Sequence, residues 1–488
     1  MKYLVALLLI AASAPAQMRV VAQPGKSPLV AFRVVFLAGS AADPVDKPGV
    51  AYLTAMMLAN GGTKDMTYRQ IVDALFPMAA SVNAQVDKEM VTFSGETTVE
   101  TLKPYYRLLS AMLLEPGWRE DDFRRVKDDA INALKVGLRS NDEELAKEVL
   151  YTALFAGTPY GHYAAGTAGS LEKITLEDVK QFYHEQYSQS NLILGISGGF
   201  SPDFLEAMKK DFRQLPAGAG FRPRMKLPEP VLANRAVIVD KDTRSVAYSI
   251  GFPLLVTRSN PVFPALLLAT TYLGQHRMSG GVLYQAMRED RGLNYGDYAY
   301  IEYFPRGMYL MEPEPNLARQ YQIFQLWIRP VEPANAVFTL RLALYELSKL
   351  CKDGISEADF ERTRDFLSRY VNVLTRTRSA ELGYAIDSIY YGIPDYAQYI
   401  RQSLAKLTRD DVNRVIRQYL RPNRLVIVAV AANGQELKKQ LASGAPSPIT
   451  YNSPKPEAIL NEDKIVEKWP LDLKPESIVV IPAGKVFE

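Results

Sequence analysis

The chain carries two segments that match each other, and this internal duplication is the strongest constraint on its fold. ITLEDVKQFYHEQYSQSNLILGISG (residues 174–198) pairs with LTRDDVNRVIRQYLRPNRLVIVAVA (residues 407–431). In each segment a Thr stands three residues before an Asp at the start of a helical pattern, which is a capping-box arrangement. The two pairs are Thr175 with Asp178 and Thr408 with Asp411. The match predicts a duplicated unit of roughly 200 residues.

Each copy also opens in the same way. LVAFRVVFLAG (residues 29–39) reads as a strand and is followed by the helical run GVAYLTAMML. In the second copy, SVAYSIGFPLL (residues 245–255) is followed by FPALLLATTYL. Strands and long helices alternate within each copy, and the clearest helical spacing runs from Glu120 to Glu148. The sequence therefore predicts an α+β fold with two homologous sheet-plus-helix modules.

The segments between and after the copies lack periodicity. Residues 222–235 are rich in Pro and basic residues and predict a linker. Prolines in residues 441–488 disfavour a long helix or a central strand, so we expect an extended tail, with SIVVI as a short final strand. The predicted organisation is a signal peptide at 1–16, a first module at 17–221, the linker, a second module at 236–440 and the tail.

The N-terminus has the layout of a secretory signal peptide. A basic start is followed by a short apolar run, Tyr3 to Ala12, and by the small residues Ala14-Pro15-Ala16. The apolar run is too short for a permanent membrane anchor. We expect an exported protein, periplasmic or secreted; a buried N-terminal strand is the alternative reading.

Charge and cysteine content narrow the function further. The formal charge of +3 gives no electrostatic argument for nucleic acid or for an anionic membrane surface. No later segment is apolar enough for a transmembrane helix, so we expect no membrane span in the mature chain. The single cysteine, Cys351, excludes an internal disulfide and reads as a packed thiol.

Four stretches, in order, resemble the pitrilysin/insulinase family of zinc peptidases, and most of all its processing-peptidase-like bacterial branch. They are PGVAYLTAMMLANGGT, ASVNAQVDKEMVTFSGETT, TPYGHYAAGTAGSLEKITLEDVKQFYHEQY and GGVLYQAMREDRGLNYGDYAY. The resemblance implies two homologous modules of the LuxS/processing-peptidase-like metallohydrolase type. It also implies the place of the zinc site, because active members carry His-x-x-Glu-His on the helix of the first module and a third ligand, Glu, on a later helix.

The matching positions lack zinc ligands. The two His positions fall on Tyr52 and Met56, the Glu position falls on Ala55, and the third-ligand region falls near residues 131–133 (Ile-Asn-Ala). Catalytic zinc needs three protein ligands with N, O or S donors, and Ala55 cannot act as a general base. We expect no metal in this chain, with Tyr52 and Met56 filling the vacated site. The three histidines, His162, His184 and His276, lie far apart and read as surface or loop residues.

The second half keeps the family's substrate-contact positions. The resemblance places its Arg and Tyr on Arg288 and Tyr295, which would donate hydrogen bonds to a peptide carbonyl of the substrate. The alternative is structural: Arg288 pairs with a nearby acid, and Tyr295 is a half-buried strand aromatic.

These observations predict a zinc-free subunit of a heterodimeric metallopeptidase, not a peptidase on its own. A homologous partner subunit would supply zinc and base, and an extended peptide would be the substrate, held by edge-strand addition. A non-catalytic peptide-binding or scaffold protein of the cell envelope is the alternative. A neighbouring gene for a similar chain with an intact zinc motif would favour the first reading.

Overall fold

The structure is a computed structural model that describes residues 18–220, 222–223 and 225–488. The predicted signal peptide lies outside the described residues.

The first module contains a five-stranded sheet and eight helices. Its strands are β1 (Arg19–Pro24), β2 (Leu29–Phe36), β3 (Asn83–Val86), β4 (Val91–Thr98) and β5 (Leu192–Gly198). Its helices are α1 (Val50–Asn60), α2 (Tyr68–Leu75), α3 (Leu102–Leu114), α4 (Glu120–Asn132), α5 (Asp142–Leu154), α6 (Ala168–Lys173), α7 (Leu176–Gln186) and α8 (Pro202–Phe212).

The second module, with the tail, contains a six-stranded sheet and eight helices. Its strands are β6 (Arg235–Asp240), β7 (Val246–Leu254), β8 (Gly296–Tyr300), β9 (Gln322–Val331), β10 (Val426–Ala431) and β11 (Ile478–Pro482). Its helices are α9 (Phe263–Gly274), α10 (Ala336–Asp353), α11 (Glu357–Leu374), α12 (Arg378–Tyr391), α13 (Tyr396–Leu404), α14 (Arg409–Tyr419), α15 (Gly434–Ser443) and α16 (Glu457–Val466). Within the described ranges no helix is both long and apolar enough to cross a membrane.

The two sheets confirm the predicted duplication. The strand order is β1-β5-β2-β4-β3 in the first sheet and β6-β10-β7-β9-β8 in the second, with β11 added beyond β6. Among the five equivalent strands of each sheet, the first pair is parallel and the others are antiparallel, and β11 adds a second parallel pair with β6. Both predicted capping boxes are present, at the starts of α7 and α14. Every residue of β5 and β10 is buried, as their continuous apolar runs predict.

The two modules are packed together because one helix of each module packs on the sheet of the other. Helix α5 of the first module packs on β7 and β10, and α12 of the second module packs on β1, β2 and β5. The cores of the two modules are therefore joined through these two helices.

The predicted long helix from Glu120 to Glu148 is wrong. After α4 the backbone forms a π-helical turn, Ala133–Leu138, and α5 then starts afresh with the Asn141 side chain accepting from the Glu144 N–H. A glycine inside the turn, Gly137, weakens helix propagation at this point. The break turns α5 away from α4 and sends it to the second sheet.

The tail is more structured than the predicted extended segment. It forms α16, and β11 pairs in parallel with β6 as an edge strand, in agreement with the predicted SIVVI strand. Its last residues cross to the first module, where Arg139 donates to the Val486 carbonyl at 2.9 Å and Phe487 stacks on Tyr163. The prolines thus limit the length of the elements without preventing them.

Candidate functional site

The helix that corresponds to the zinc-binding helix, α1, is fixed by a buried carboxylate. Asp43 accepts hydrogen bonds from the backbone N–H groups of Gly49 and Ala51 at 2.6 and 2.8 Å. A carboxylate at a helix N-terminus satisfies free N–H groups and complements the helix dipole. Gly49 has φ +100°, and a Cβ there would lie 2.7 Å from the Ala165 carbonyl oxygen, so the tight entry requires glycine.

Tyr52 and Met56 lie on the face of α1 that borders a cavity of about 490 Å³ between the two modules, which we call the central cleft. Ala133, from the predicted third-ligand region, lines it as well. Tyr52 and Met56 therefore form part of the wall of this cleft while packing against the first core, and their filling of the vacated site stays a prediction. Ala55 is fully buried behind them. This set offers a phenol, a thioether and two methyl groups, which do not fit a catalytic zinc ion.

One wall of the central cleft is the edge strand β3. Ala84, Gln85 and Val86 line the cleft, and within the described residues β3 pairs only with β4. The Asp87 N–H bonds to the Met90 carbonyl in the connecting turn. Because hydrogen-bonded and non-hydrogen-bonded pairs alternate along antiparallel strands, the N–H and C=O groups of Ala84 and Val86 point away from β4. The cleft thus presents backbone donors and acceptors to an added strand.

Another part of the cleft wall comes from the second module, which contacts β3 and the β3–β4 turn. Arg319 donates to Asp87 from Nε at 2.7 Å and from a second guanidinium nitrogen, and both side chains are almost fully buried. The Arg319 guanidinium also lies over the Tyr303 ring at 4.0 Å. Gln85 donates to the Pro315 and Asn316 carbonyls at 3.1 and 3.2 Å. These contacts fix the edge strand against the second module.

Two further buried charges face the cleft. Lys88 donates to the His162 carbonyl, and burial, reinforced by the Arg319 charge, lowers the pKa of its ammonium to about 8. Burial raises the pKa of Glu148, an effect that Lys88 opposes, and Glu148 accepts from the Tyr303 hydroxyl. Charges of both signs are held by the protein itself, so the cleft has no strong preference for a charged ligand.

Arg288 and Tyr295 lie elsewhere. Neither lines the central cleft. Arg288 sits in the π-helical turn Tyr284–Glu289, and its guanidinium lies 5.0 Å from the Tyr284 ring centre and 5.4 Å from that of Tyr295. Tyr295 is 72% exposed just before β8. The alternative of a half-buried strand aromatic is therefore wrong for Tyr295, and among the described residues Arg288 forms no ion pair.

The buried carboxyl of Asp297 beside Arg288 predicts a pH effect on stability. Burial raises its pKa to about 7, which the Arg288 charge partly opposes. The unfolded chain, with an Asp pKa of about 3.9, loses this proton first as pH rises, so the stabilisation is complete below about pH 4 and is lost towards pH 7. In urea unfolding, we expect Asp297→Asn to make the free energy of unfolding fall less steeply between about pH 4 and 7. The slope should change by at most about 1.4 kcal/mol per pH unit.

The matched control for this pH effect is Asp353→Asn, because Asp353 is exposed. It should leave the pH dependence of wild type unchanged. Parallel stability curves for wild type and Asp297→Asn between about pH 4 and 8 would contradict the assignment.

The histidines do not form a site together. His162 lies in a loop and its Nε2 contacts Asp43 at 3.0 Å, while His184 is exposed on α7. His276 is in a loop, as predicted, but is buried there, with Nδ1 against the Tyr300 hydroxyl. Cys351 is partly buried against the second core, and burial raises its thiol pKa to about 11.

The residues that sequence reasoning missed are Asp87, Lys88 and Glu89, which occupy the β3–β4 turn. All three are nearly fully buried, and Glu89 accepts hydrogen bonds from Tyr160, Tyr390 and the Gln320 N–H. A run of three charged residues in a hairpin turn is typical of an exposed loop, so nothing in the local sequence pointed to this role.

The fold and the site together define a two-module protein of the metallopeptidase type whose zinc-ligand positions have been replaced. Family comparison agrees: residues 19–168 match the family described as Insulinase (Peptidase family M16), and residues 173–367 match its Peptidase M16 inactive domain. The chain belongs to this family.

Relatives of this chain include one named as a non-peptidase and others named as peptidase subunits. The non-peptidase homolog YmxG of Helicobacter pylori is 22% identical over 418 residues, which cover 83% of this chain and 89% of the relative. A probable mitochondrial-processing peptidase subunit beta of Arabidopsis thaliana is 21% identical over 247 residues, 50% of this chain and 46% of the relative. The crystal structure of a peptidase M16 inactive domain from Pseudomonas fluorescens superposes with a TM-score of 0.74 at 21% identity, covering 86% of this chain and 97% of that one.

Proposed function

We propose that this chain is the exported, zinc-free subunit of a heterodimeric metallopeptidase. It holds an extended peptide and supplies Arg288 and Tyr295 to polarise a substrate carbonyl, while a homologous partner supplies zinc and base. The observation that carries the proposal is the free β3 edge along a cleft of about 490 Å³ at the degenerate zinc-motif helix.

Strand addition suits this cleft because the backbone of β3 offers sequence-independent hydrogen bonds. Alternate side chains of an added strand would point towards α1 and towards the second module. The cleft volume lies in the range of ordinary ligand sites, which is about 300–1,000 Å³. A short extended segment fits this space better than a folded domain.

The position of Arg288 and Tyr295 supports a role towards a partner. The pair lies outside the cleft of its own chain, and Tyr295 is exposed. An exposed phenol beside an Arg that forms no ion pair within the described part of the chain provides hydrogen-bond donors that a neighbouring subunit could use. Relatives named as subunits of the mitochondrial processing peptidase make a paired arrangement a reasonable expectation.

Ala84→Pro tests the edge-strand part of the proposal. The substitution removes the outward N–H of Ala84 without removing a bond to β4, and proline is tolerated on edge strands. The loss of one interstrand hydrogen bond, worth about 1 kcal/mol, should weaken peptide binding about fivefold. The measurement is fluorescence anisotropy with labelled unstructured peptides.

The matched control is Ala84→Val, which keeps the N–H group and suits a strand. It should bind within a factor of about two of wild type. Equal affinity of Ala84→Pro and wild type, with both proteins folded, would show that β3 does not pair with the peptide.

The second candidate is a non-catalytic peptide-binding or scaffold protein of the cell envelope. The lack of fitting zinc ligands and the relative named as a non-peptidase homolog favour it. Both candidates require peptide binding in the cleft, and they differ in whether a zinc-containing partner cleaves the bound peptide.

A further inference from the structure

A second cavity lies inside the second module, behind the central cleft. It is enclosed by β8, α9, α11 and the segment between β8 and β9, and its volume is about 90 Å³. Its walls are largely aliphatic and aromatic. The residues that matter here are Ile301, Leu317, Leu367, Val371 and Leu374. We call it the side pocket.

The side pocket borders the central cleft directly. Tyr303, Glu314 and Leu317 line both cavities. These three residues form a wall that the two cavities share. The side pocket is therefore adjacent to the central cleft, and a side chain of a cleft-bound peptide would enter it across this wall.

The main charges around the side pocket are neutralised by the protein. Arg258 donates to Glu302 at 2.9 Å and to Asp387 at 3.3 Å, and its guanidinium lies 4.6 Å from the Tyr396 ring centre. Glu314 in the shared wall is paired with Arg306. A charged side chain that entered the pocket would find no unpaired opposite charge there. It would lose its hydrating water and gain no ion pair in return.

Two further polar groups of the pocket, those of His276 and Thr270, have partners within the protein. His276 contacts the Tyr300 hydroxyl through Nδ1 and the Leu310 carbonyl through Nε2, and burial lowers its pKa to about 3, so it is neutral. The Thr270 hydroxyl donates to the Leu266 carbonyl at 3.0 Å. A guest gains little from hydrogen bonding in this pocket and gains mainly by burying apolar surface.

The size of the pocket limits the guest. A liquid water molecule takes up about 30 Å³, and a cavity of about 150 Å³ accepts benzene. A volume of about 90 Å³ suits a branched aliphatic side chain and is too small for an indole ring.

We propose that the side pocket receives an aliphatic side chain, of the Leu, Ile or Val type, from the peptide bound in the central cleft. This inference rests on the proposed function and adds the chemical class of the peptide. The bound peptides are those with a branched apolar residue at one position, and charge at that position is disfavoured.

The test is a host peptide of Ala, Gly and Ser in which one guest residue is moved along the chain. Leu, Ala, Lys and Trp are compared at every position by fluorescence anisotropy with the full-length mature protein. We expect one position at which Leu binds about tenfold more tightly than Ala, from the burial of its additional methylene and methyl groups. Lys and Trp at that position should bind no more tightly than Ala.

Matched variants on α11 locate the effect. Val371→Phe fills the pocket and should remove the preference for Leu, whereas Val373→Phe, two residues on and 36% exposed, should keep it. Leu374→Phe is a second filling variant at a half-buried position, used if Val371→Phe fails to fold in a thermal melt.

The outcomes separate the two proposals. Peptide binding without a preferred guest, tightest binding of Lys, or an unchanged Leu preference in both filling variants would overturn the side pocket alone. If no host peptide binds at any position, the proposed peptide-binding function falls, and the side-pocket inference falls with it.

Discussion

Arg319→Ala is expected to lower the free energy of unfolding by about 3–5 kcal/mol, the usual cost of removing one partner of a buried ion pair. Arg319 and Asp87 are at most 3% exposed at their side chains, and they join the second module to the β3–β4 turn of the first. Alanine leaves the Asp87 carboxylate buried without its cation. The same change removes the guanidinium that lies over Tyr303.

Urea unfolding, followed by circular dichroism, measures this loss. The control is Arg69→Ala, whose ion pair with Asp73 is exposed on α2 and should change stability by less than about 1 kcal/mol. The double variant Arg319→Met with Asp87→Leu should recover much of the loss, because no charge is then left unpaired. A loss for Arg319→Ala no larger than that of the Arg69 control would contradict a buried, intermodule ion pair.

The second large effect concerns cleavage by the heterodimer. With a zinc-containing partner at saturation, Arg288→Ala is expected to lower kcat about 10²–10³-fold, the cost of removing one fixed donor to a carbonyl that gains negative charge. Tyr295→Phe removes only a hydroxyl and should lower kcat in the same direction. The measurement is hydrolysis of a fluorogenic peptide.

Arg409→Ala is the matched control, because it also removes a guanidinium from the protein surface. Arg409 lies on α14, and its ion pairs with Glu357 and Asp410 are at the surface. It should leave kcat unchanged. Separate titration of the partner distinguishes a lower kcat from weaker association. Full activity of Arg288→Ala at saturation would remove Arg288 from the proposed mechanism.

Local signals in the sequence were sufficient for much of the fold. The paired capping boxes at Thr175 and Thr408 predicted the starts of α7 and α14, and the apolar runs after them predicted buried strands. These features depend on neighbours within a few residues, which is why the pattern of one segment suffices to predict them. The replaced ligand positions on α1 were also visible, because their chemistry depends on residue type.

The rest depends on contacts between distant segments. The burial of Asp87, Lys88 and Glu89 follows from the docking of the second module, with Arg319 more than two hundred residues away. Likewise, α5 is nearly all buried because it lies on the other sheet, although its sequence carries many charges. Such burial is a tertiary effect that no local pattern reveals.

The contacts of the tail were likewise not predictable from its local sequence. Arg291, three residues after Arg288, is buried and donates to Glu462 and Asp463 of α16, both at 2.8 Å. This short helix docks on a buried guanidinium through two of its carboxylates and buries Val466 against the second core. The prolines predicted where elements cannot extend, and they carried no information on what the tail contacts.

The most direct measurement is peptide cleavage and zinc content for three samples: the mature chain, a zinc-containing family partner from the same source, and their mixture. We expect negligible zinc in the chain alone and no cleavage by it. We also expect the mixture to cleave much faster than the partner alone. Stoichiometric zinc with cleavage by the chain alone, or a mixture no more active than the partner, would contradict the proposed function.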